Sequence, residues 1–178
     1  MITRFPTLRL EGGLISSDQI DRIADQKVKE FSIDDVAAAW SDILSYWTLF
    51  ERSLAKLSEE NLATSETRNR WMIPFLSTLG YELSSRNAAV VDGQTYAISH
   101  RAGKDENSPP IHIVGLRQSL DRRPESGRPR LAPHSLVQEY LNRTEHLWGI
   151  VTNGSTLRIL RNSNLLRKQA YIEFDLEQ

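Results

Sequence analysis

Leu147–Arg161 reads LWGIVTNGSTLRILR, and the fold of this chain turns on it. Two short apolar runs, Leu147–Thr152 and Thr156–Arg161, flank Asn153-Gly154, a dipeptide suited to the tight turn of a hairpin. Directly upstream lies PHSLVQEYLNR (Pro133–Arg143), which reads as a helix opening with Pro-His-Ser, and a further strand is expected at Ala170–Phe174. A helix that delivers into a strand pair is a piece of α/β architecture.

Working outward toward the N-terminus, the strongly apolar Ile111–Leu116 is a third strand. It is separated from the helix by RQSLDRRPESGRPR (Arg117–Arg130), too rich in Pro, Gly and Ser for regular structure. Further strands are expected at Tyr81–Ser84 and near Gln94–Ser99, with GKDENSPP (Gly103–Pro110) as a polar hairpin loop. Thr64-Ser65 caps a helix over Glu66–Leu79 that ends on Gly80 as its C′ residue, and Pro74 inside it predicts a kink.

Before that, Met1–Gly13 shows no period and reads as an arm. Ser16-Ser17-Asp18 caps a helix with Ile20, Ile23, Ala24, Val28 and Phe31 as its apolar positions. A second cap at Ser32 or Asp34 opens a long helix with Val36, Trp40, Ile43, Leu44, Trp47, Phe50, Leu54 and Leu57 on one stripe. Trp40 and Trp47, a heptad apart on that stripe, are expected in the core rather than stacked on bases. The expected organisation is an arm and helical hairpin over residues 1–63, then an α/β domain over 64–178 with the order α-β-β-β-α-β-β-β.

Composition bounds the chemistry. The chain has 178 residues, 39% of them hydrophobic and 25% charged, which suits a globular domain. There is no apolar run of membrane length, no signal-peptide core at the start and no cysteine, so a cytoplasmic protein without disulfides or thiolate metal sites is expected. Residues 1–64 carry 7 Lys+Arg against 11 Asp+Glu, whereas residues 65–178 carry 15 against 12, and 13 of those 15 are arginine, the side chain best shaped to grip phosphates.

Three phrases resemble a known module. ETRNRWMIPFLSTLGYEL (Glu66–Leu83) is similar to the first helix of the nuclease-like domain in type I and type IIG restriction enzymes. LVQEYL (Leu136–Leu141) resembles the Gln/Tyr helix that follows the catalytic strand. WGIVTNGSTLRILR (Trp148–Arg161) with AYIEFDLE (Ala170–Glu177) resembles the closing strands, notably in the large adenine methylases of type IIG and DISARM-type phage-defence systems. The resemblance covers residues 64–178 and implies a restriction-endonuclease-like, PD-(D/E)XK-type mixed sheet flanked by helices. It also implies that the chain, ending at EFDLEQ, is an N-terminal part of a longer polypeptide continuing into a methyltransferase.

Cleavage on that fold needs an Asp on the second strand and a Glu-x-Lys on the third, which hold Mg²⁺ and activate water. Here Asp92 could stand as the first acid, and so as a metal ligand, with Glu66 and Gln138 as accessories. The third strand, however, reads IHIVGLR (Ile111–Arg117), with His112, Val114, Gly115 and Leu116 where Glu-x-Lys should be. The resemblance therefore implies a degenerate cleavage centre, against the alternative of a rewired one using Glu82, Asp92 and Asp121. Asp92-Gly93 also has a plain reading as a hairpin turn.

No other catalytic signature is present. His100, His112, His134 and His146 lack metal-ligand spacing, and there is no P-loop, G-x-S-x-G or G-x-G-x-x-G. The best DNA contacts are Arg117, Arg122, Arg123, Arg128 and Arg130 in the long loop, with His112 as a further phosphate contact. The expected function is a non-catalytic DNA-engaging or scaffolding module of a restriction-modification or phage-defence methyltransferase. No cofactor is expected for it, and its partners are DNA and further domains of the same polypeptide. The alternatives are a Mg²⁺-dependent endonuclease with displaced acids, and a protein-interaction domain without DNA binding that docks through the Trp40/Trp47 helix.

Overall fold

The strand pair on which the sequence reading rests forms the middle of the sheet. In the structure, a computed structural model that describes residues 5–25, 33–86, 88–125, 131–163 and 170–178, β7 (Trp148–Thr152) and β8 (Thr156–Arg161) pair antiparallel from Trp148↔Arg161 to Thr152↔Leu157. Their turn is built from side chains. Asn153 Oδ1 accepts from the Ser155 and Thr156 amides at 3.2 and 2.9 Å, and Thr152 Oγ1 accepts from the Gly154 amide at 3.0 Å. Gly154 sits at φ 92°, and a Cβ there would come within 2.9 Å of Thr67 Cγ2 and 3.1 Å of Trp71 Cδ1, so glycine is required twice over. Trp71 closes the corner by donating its indole N–H to the Gly154 carbonyl at 2.7 Å.

Among the described residues, seven strands make one mixed sheet in the order β1-β9-β8-β7-β6-β5-β2. β2 (Ser84–Ser85), β5 (His100–Arg101) and β6 (Pro110–Ile113) are joined antiparallel, and β6 runs parallel to β7 with His112 opposite Val151. A parallel pair needs a crossover, and α5 (Pro133–Asn142) supplies it. β9 (Tyr171–Asp175) follows β8, and β1 (Leu8–Glu11) pairs with β9 at the edge. Leu8–Glu11 lies inside the stretch expected as an arm. Four residues with Leu8 and Leu10 alternating give too short a period to read, and only pairing with β9 makes them a strand.

Period-two alternation divides the core between the two faces. Ile111, Ile113, Ile150 and Leu157 face Phe50, Trp71, Met72 and Leu76 on one side. Val151 and Leu160 pack with Leu136, Val137, Tyr140 and Leu141 of α5 on the other. The first layer comes from α2 (Ile33–Leu54), α3 (Thr64–Glu66), a π-helical turn (Thr67–Met72) and α4 (Ile73–Thr78). Pro74 occupies the first turn of α4, so the missing amide and the bulk of its ring are absorbed by the widened turn before it, where the Ile73 amide reaches back to the Arg68 carbonyl. The helix ends as expected. Gly80, at φ 89°, donates to the Ser77 carbonyl at 2.9 Å and Tyr81 to the Leu76 carbonyl at 3.0 Å, a Schellman closure.

α1 (Ser17–Asp25) opens on a reciprocal cap, Gln19 N–H to Ser16 Oγ at 3.3 Å and Ser16 N–H to Gln19 Oε1 at 3.4 Å. The proposed cap at Ser32 lies outside the described residues. The stripe on α2 divides in two. Ile43, Tyr46, Trp47, Phe50 and Leu54 pack into the core, with Trp47 edge-on to Trp71 at 5.1 Å between ring centres. Val36, Trp40 and Leu44 stay exposed, Trp40 by 60%, and the α2 residues of the core cluster are those from Ile43 onward on the other side of the stripe. Among the described residues, no helix is long and apolar enough to cross a membrane.

Candidate functional site

The strand pair β5–β6 is where the resemblance would place carboxylates. Its polar side chains are the imidazoles of His100 and His112 and the guanidinium of Arg101, with no carboxylate among them. His112 is 5% exposed, its Nδ1 has no partner among the described residues, and burial, then Arg68 and His100, push its pKa down to about 4. His100 is likewise pushed down to about 4 by burial and by Arg68. Both rings are therefore neutral near pH 7. Ser99 completes the ladder beside them, accepting from the Ile113 amide at 2.9 Å and donating to the Ile111 carbonyl at 3.2 Å. Arg68, itself lowered by burial, reaches the Ile113 carbonyl at 2.9 Å.

The acids named from the sequence stand apart from this pair. Asp92 and Gly93, at φ 50° and 76°, form the two-residue turn between β3 (Ala89–Val91) and β4 (Gln94–Tyr96), a hairpin outside the main sheet. The Asp92 carboxylate is exposed, 4.0 Å from Arg143. Arg143 also meets Glu139 at 3.4 Å, and Glu139 accepts from the Tyr96 hydroxyl at 2.8 Å, which clips the hairpin to α5. Burial, then the bond to Glu139, raises the Tyr96 hydroxyl to about 12. Glu82 pairs with Lys104 at 2.7 Å on the surface, and Glu66 ends α3 on the opposite layer from Asp92. Gln138 is buried in α5, where its amide donates to Asn142 Oδ1 and the Arg161 carbonyl. Among the described residues, no three histidine or carboxylate side chains gather as a metal site.

Asp121 has a different role. It grips Arg158 of β8 through two bonds of 2.6 and 2.8 Å, while Arg158 Nε holds Glu173 at 2.6 Å and Nη1 lies 3.2 Å from His134 Nδ1. Burial opposes the Arg158 charge, but the bonds to Asp121 and Glu173 outweigh it and raise its pKa. The bond from Arg158 in turn holds the Asp121 carboxyl below its usual range. This pair pins the loop after β6 to the sheet. Arg117, though exposed, is tied down as well, donating to the carbonyls of Ser58 and of Asn61, the latter at 2.8 Å. Arg122 and Arg123 remain exposed, with no ion pair among the described residues. Arg128 and Arg130 lie outside the described residues.

At the opposite end of β6 is a feature the sequence reading passed over. A cavity of about 990 Å³ is bounded by Arg86 and Ala88–Val90, by Arg101 of β5 and the β5–β6 loop, and by Tyr140 and Thr144–Trp148. Arg101 is 8% exposed. Its Nη1 donates to the Ser108 carbonyl at 3.2 Å and lies 2.9 Å from His146 Nε2, and its Nη2 donates to the Tyr140 hydroxyl at 2.5 Å. Burial, then the neighbouring Arg101, lowers the His146 pKa, in keeping with Nε2 serving as the acceptor. No carboxylate pairs with Arg101 among the described residues. The only signal in the sequence was an arginine on a short strand beside a polar loop, which does not reveal the partners 39 and 45 positions away.

Comparison of the chain with protein-family models, with curated proteins and with solved structures finds no match.

Proposed function

We propose that this chain is a DNA-engaging module that does not itself cut, built on a restriction-endonuclease-like sheet and belonging to a restriction-modification or phage-defence DNA methyltransferase. The observation that carries the reading is the Asp121–Arg158 pair. It spends the one acid of the loop's first turn on the sheet and leaves Arg122 and Arg123 facing solvent on an anchored segment. Anchoring reduces the entropy lost when those arginines take phosphates, and two exposed arginines adjacent in the chain suit a phosphate backbone. The meander β2-β5-β6 followed by the crossover to parallel β7 is in keeping with the proposed frame.

The test is the affinity of the chain for a labelled duplex across salt concentration. Binding should weaken steeply with salt, and Arg122→Ala with Arg123→Ala should lower the slope of log Kd against log salt by about 2. Salt-independent binding, or a double variant that binds like wild type, sinks the proposal. Mg²⁺-dependent plasmid cutting that Asp92→Ala abolishes would replace it with the endonuclease alternative.

A second reading, a protein-interaction domain, is favoured by the exposed face of Val36, Trp40 and Leu44 on α2. On that reading Trp40→Ser abolishes association with the remainder of the parent polypeptide, and the chain shows no salt-dependent duplex binding to begin with.

A further inference from the structure

Arg101 is a buried positive charge whose protein partners are a carbonyl, a phenol and an imidazole, none of them anionic. Such a charge is costly to bury unless an anion completes it. A guanidinium has five N–H groups. Nη1 uses both of its own and Nη2 uses one, which leaves Nε–H and one Nη2–H without partners among the described residues. A phosphate or carboxylate takes two guanidinium donors at once, and Nε–H with an Nη2–H is one such pair. Tyr140, also under the guanidinium at 5.4 Å, and His146, stacked on Tyr140 at 5.6 Å, fix the orientation of the fork.

The rest of the cavity narrows the ligand. Arg86 adds a second positive charge on the wall, suited to a phosphomonoester carrying nearly two negative charges. Val90 and Leu147, 69% and 50% exposed, leave an apolar rim beside it, and Ala89 extends that surface. Glu106 and Glu145 on the same walls disfavour a longer polyphosphate. The volume of about 990 Å³ is at the upper end for a small-molecule site and accommodates a nucleotide.

We infer that this cavity binds a phosphomonoester of nucleotide size, its phosphate on Arg101 with Arg86 beside it and its organic body against Ala89, Val90 and Leu147. The site lies at the N-terminal end of β6, away from the Arg122/Arg123 loop at the other end, so the inference stands independently of duplex binding. A chain that ignores duplex DNA and still takes the nucleotide keeps this inference and loses the other.

Calorimetric titration of the full chain with dAMP, with deoxyadenosine, and with one short single strand carrying or lacking a 5′ phosphate tests it. One dAMP site is expected, with deoxyadenosine weaker by about tenfold or more. Arg101→Lys keeps the charge but loses the fork and should weaken dAMP by about tenfold. Arg86→Ala, at an exposed position that does not endanger folding, should weaken it by about threefold. A phosphorylated strand that binds as tightly as dAMP, with its unphosphorylated twin silent, identifies strand ends as the source of the ligand. Binding of dAMP alone identifies a free nucleotide. Deoxyadenosine binding as tightly as dAMP, folded variants with wild-type affinity, or no dAMP binding at millimolar concentration would overturn the inference.

Discussion

Two buried arginines on the α5 side of the sheet have nearly the same surroundings and opposite accounts of charge. Arg158 lies 5.0 Å from the Tyr171 ring centre and 3.2 Å from a histidine nitrogen, and Arg101 lies 5.4 Å from that of Tyr140 and 2.9 Å from another. Arg158 has two carboxylates, Asp121 and Glu173, whereas Arg101 has none among the described residues. The difference separates structure from function. A buried cation compensated by the protein's own acids is a fastening, and one compensated only by dipoles beside a cavity is left for a ligand.

The comparison breaks most visibly on removing each charge. Arg158→Met strands the largely buried Glu173 and should cost about 3 kcal/mol of stability in urea unfolding. Its loss should also free the loop carrying Arg122 and Arg123. A cost below about 1 kcal/mol would mean that the two arginines are equivalent after all.

Acid should open the two ends in separate windows. His100 and His112 are held at about 4 in the fold, below the ordinary 6.5. Below pH 6.5 the unfolded chain takes up protons that the folded chain refuses, so stability present above that value is lost as pH falls from 6.5 toward 4. The slope is about 1.4 kcal/mol per pH unit for each fully coupled histidine. His146, also lowered, loses its acceptor role toward Arg101 in the same direction. At the other end Asp121 is depressed below 3.8, so its contribution is complete above that pH and disappears only as pH falls through its folded value. Unfolding curves taken at successive pH values check this order, and a single loss confined below pH 4 would contradict it.

The smallest effect is expected at the cavity. Arg101→Met removes a buried charge that no acid balances, so it should change stability by less than about 1 kcal/mol, or raise it, while abolishing dAMP binding. A loss as large as that of Arg158→Met would remove the distinction between the two sites.

Several elements were legible because their causes are local. Gly154 and Gly80 sit where positive φ is needed, Asp92-Gly93 makes its turn, and the apolar runs of β7 and β8 match their strands within a residue. Others failed where distant contacts decide. Trp40 and Trp47 share a helical stripe, yet only Trp47 finds Trp71 beneath it. The strand expected near Gln94–Ser99 stops at Tyr96. The Ile98 amide turns back to the Tyr96 carbonyl at 2.9 Å, and pairing with β6 begins again at His100. Nor did the sequence show that Arg117, expected as a DNA contact, donates to the carbonyls of Ser58 and Asn61.

By itself the sequence determined the α/β alternation, the central hairpin, the helix before it, the glycine turns and the arginine surplus of the C-terminal part, since each is set by neighbouring residues and their periodicity. Which arginines are spent and which are free was decided only by the tertiary structure. Asp121 reaches Arg158 across 37 positions, and Tyr140 and His146 reach Arg101 across 39 and 45. Alternation along a strand fixes the face on which a charge stands. Its partner is fixed by the register of the sheet and the crossover of α5, which bring together residues with no local relation in the chain.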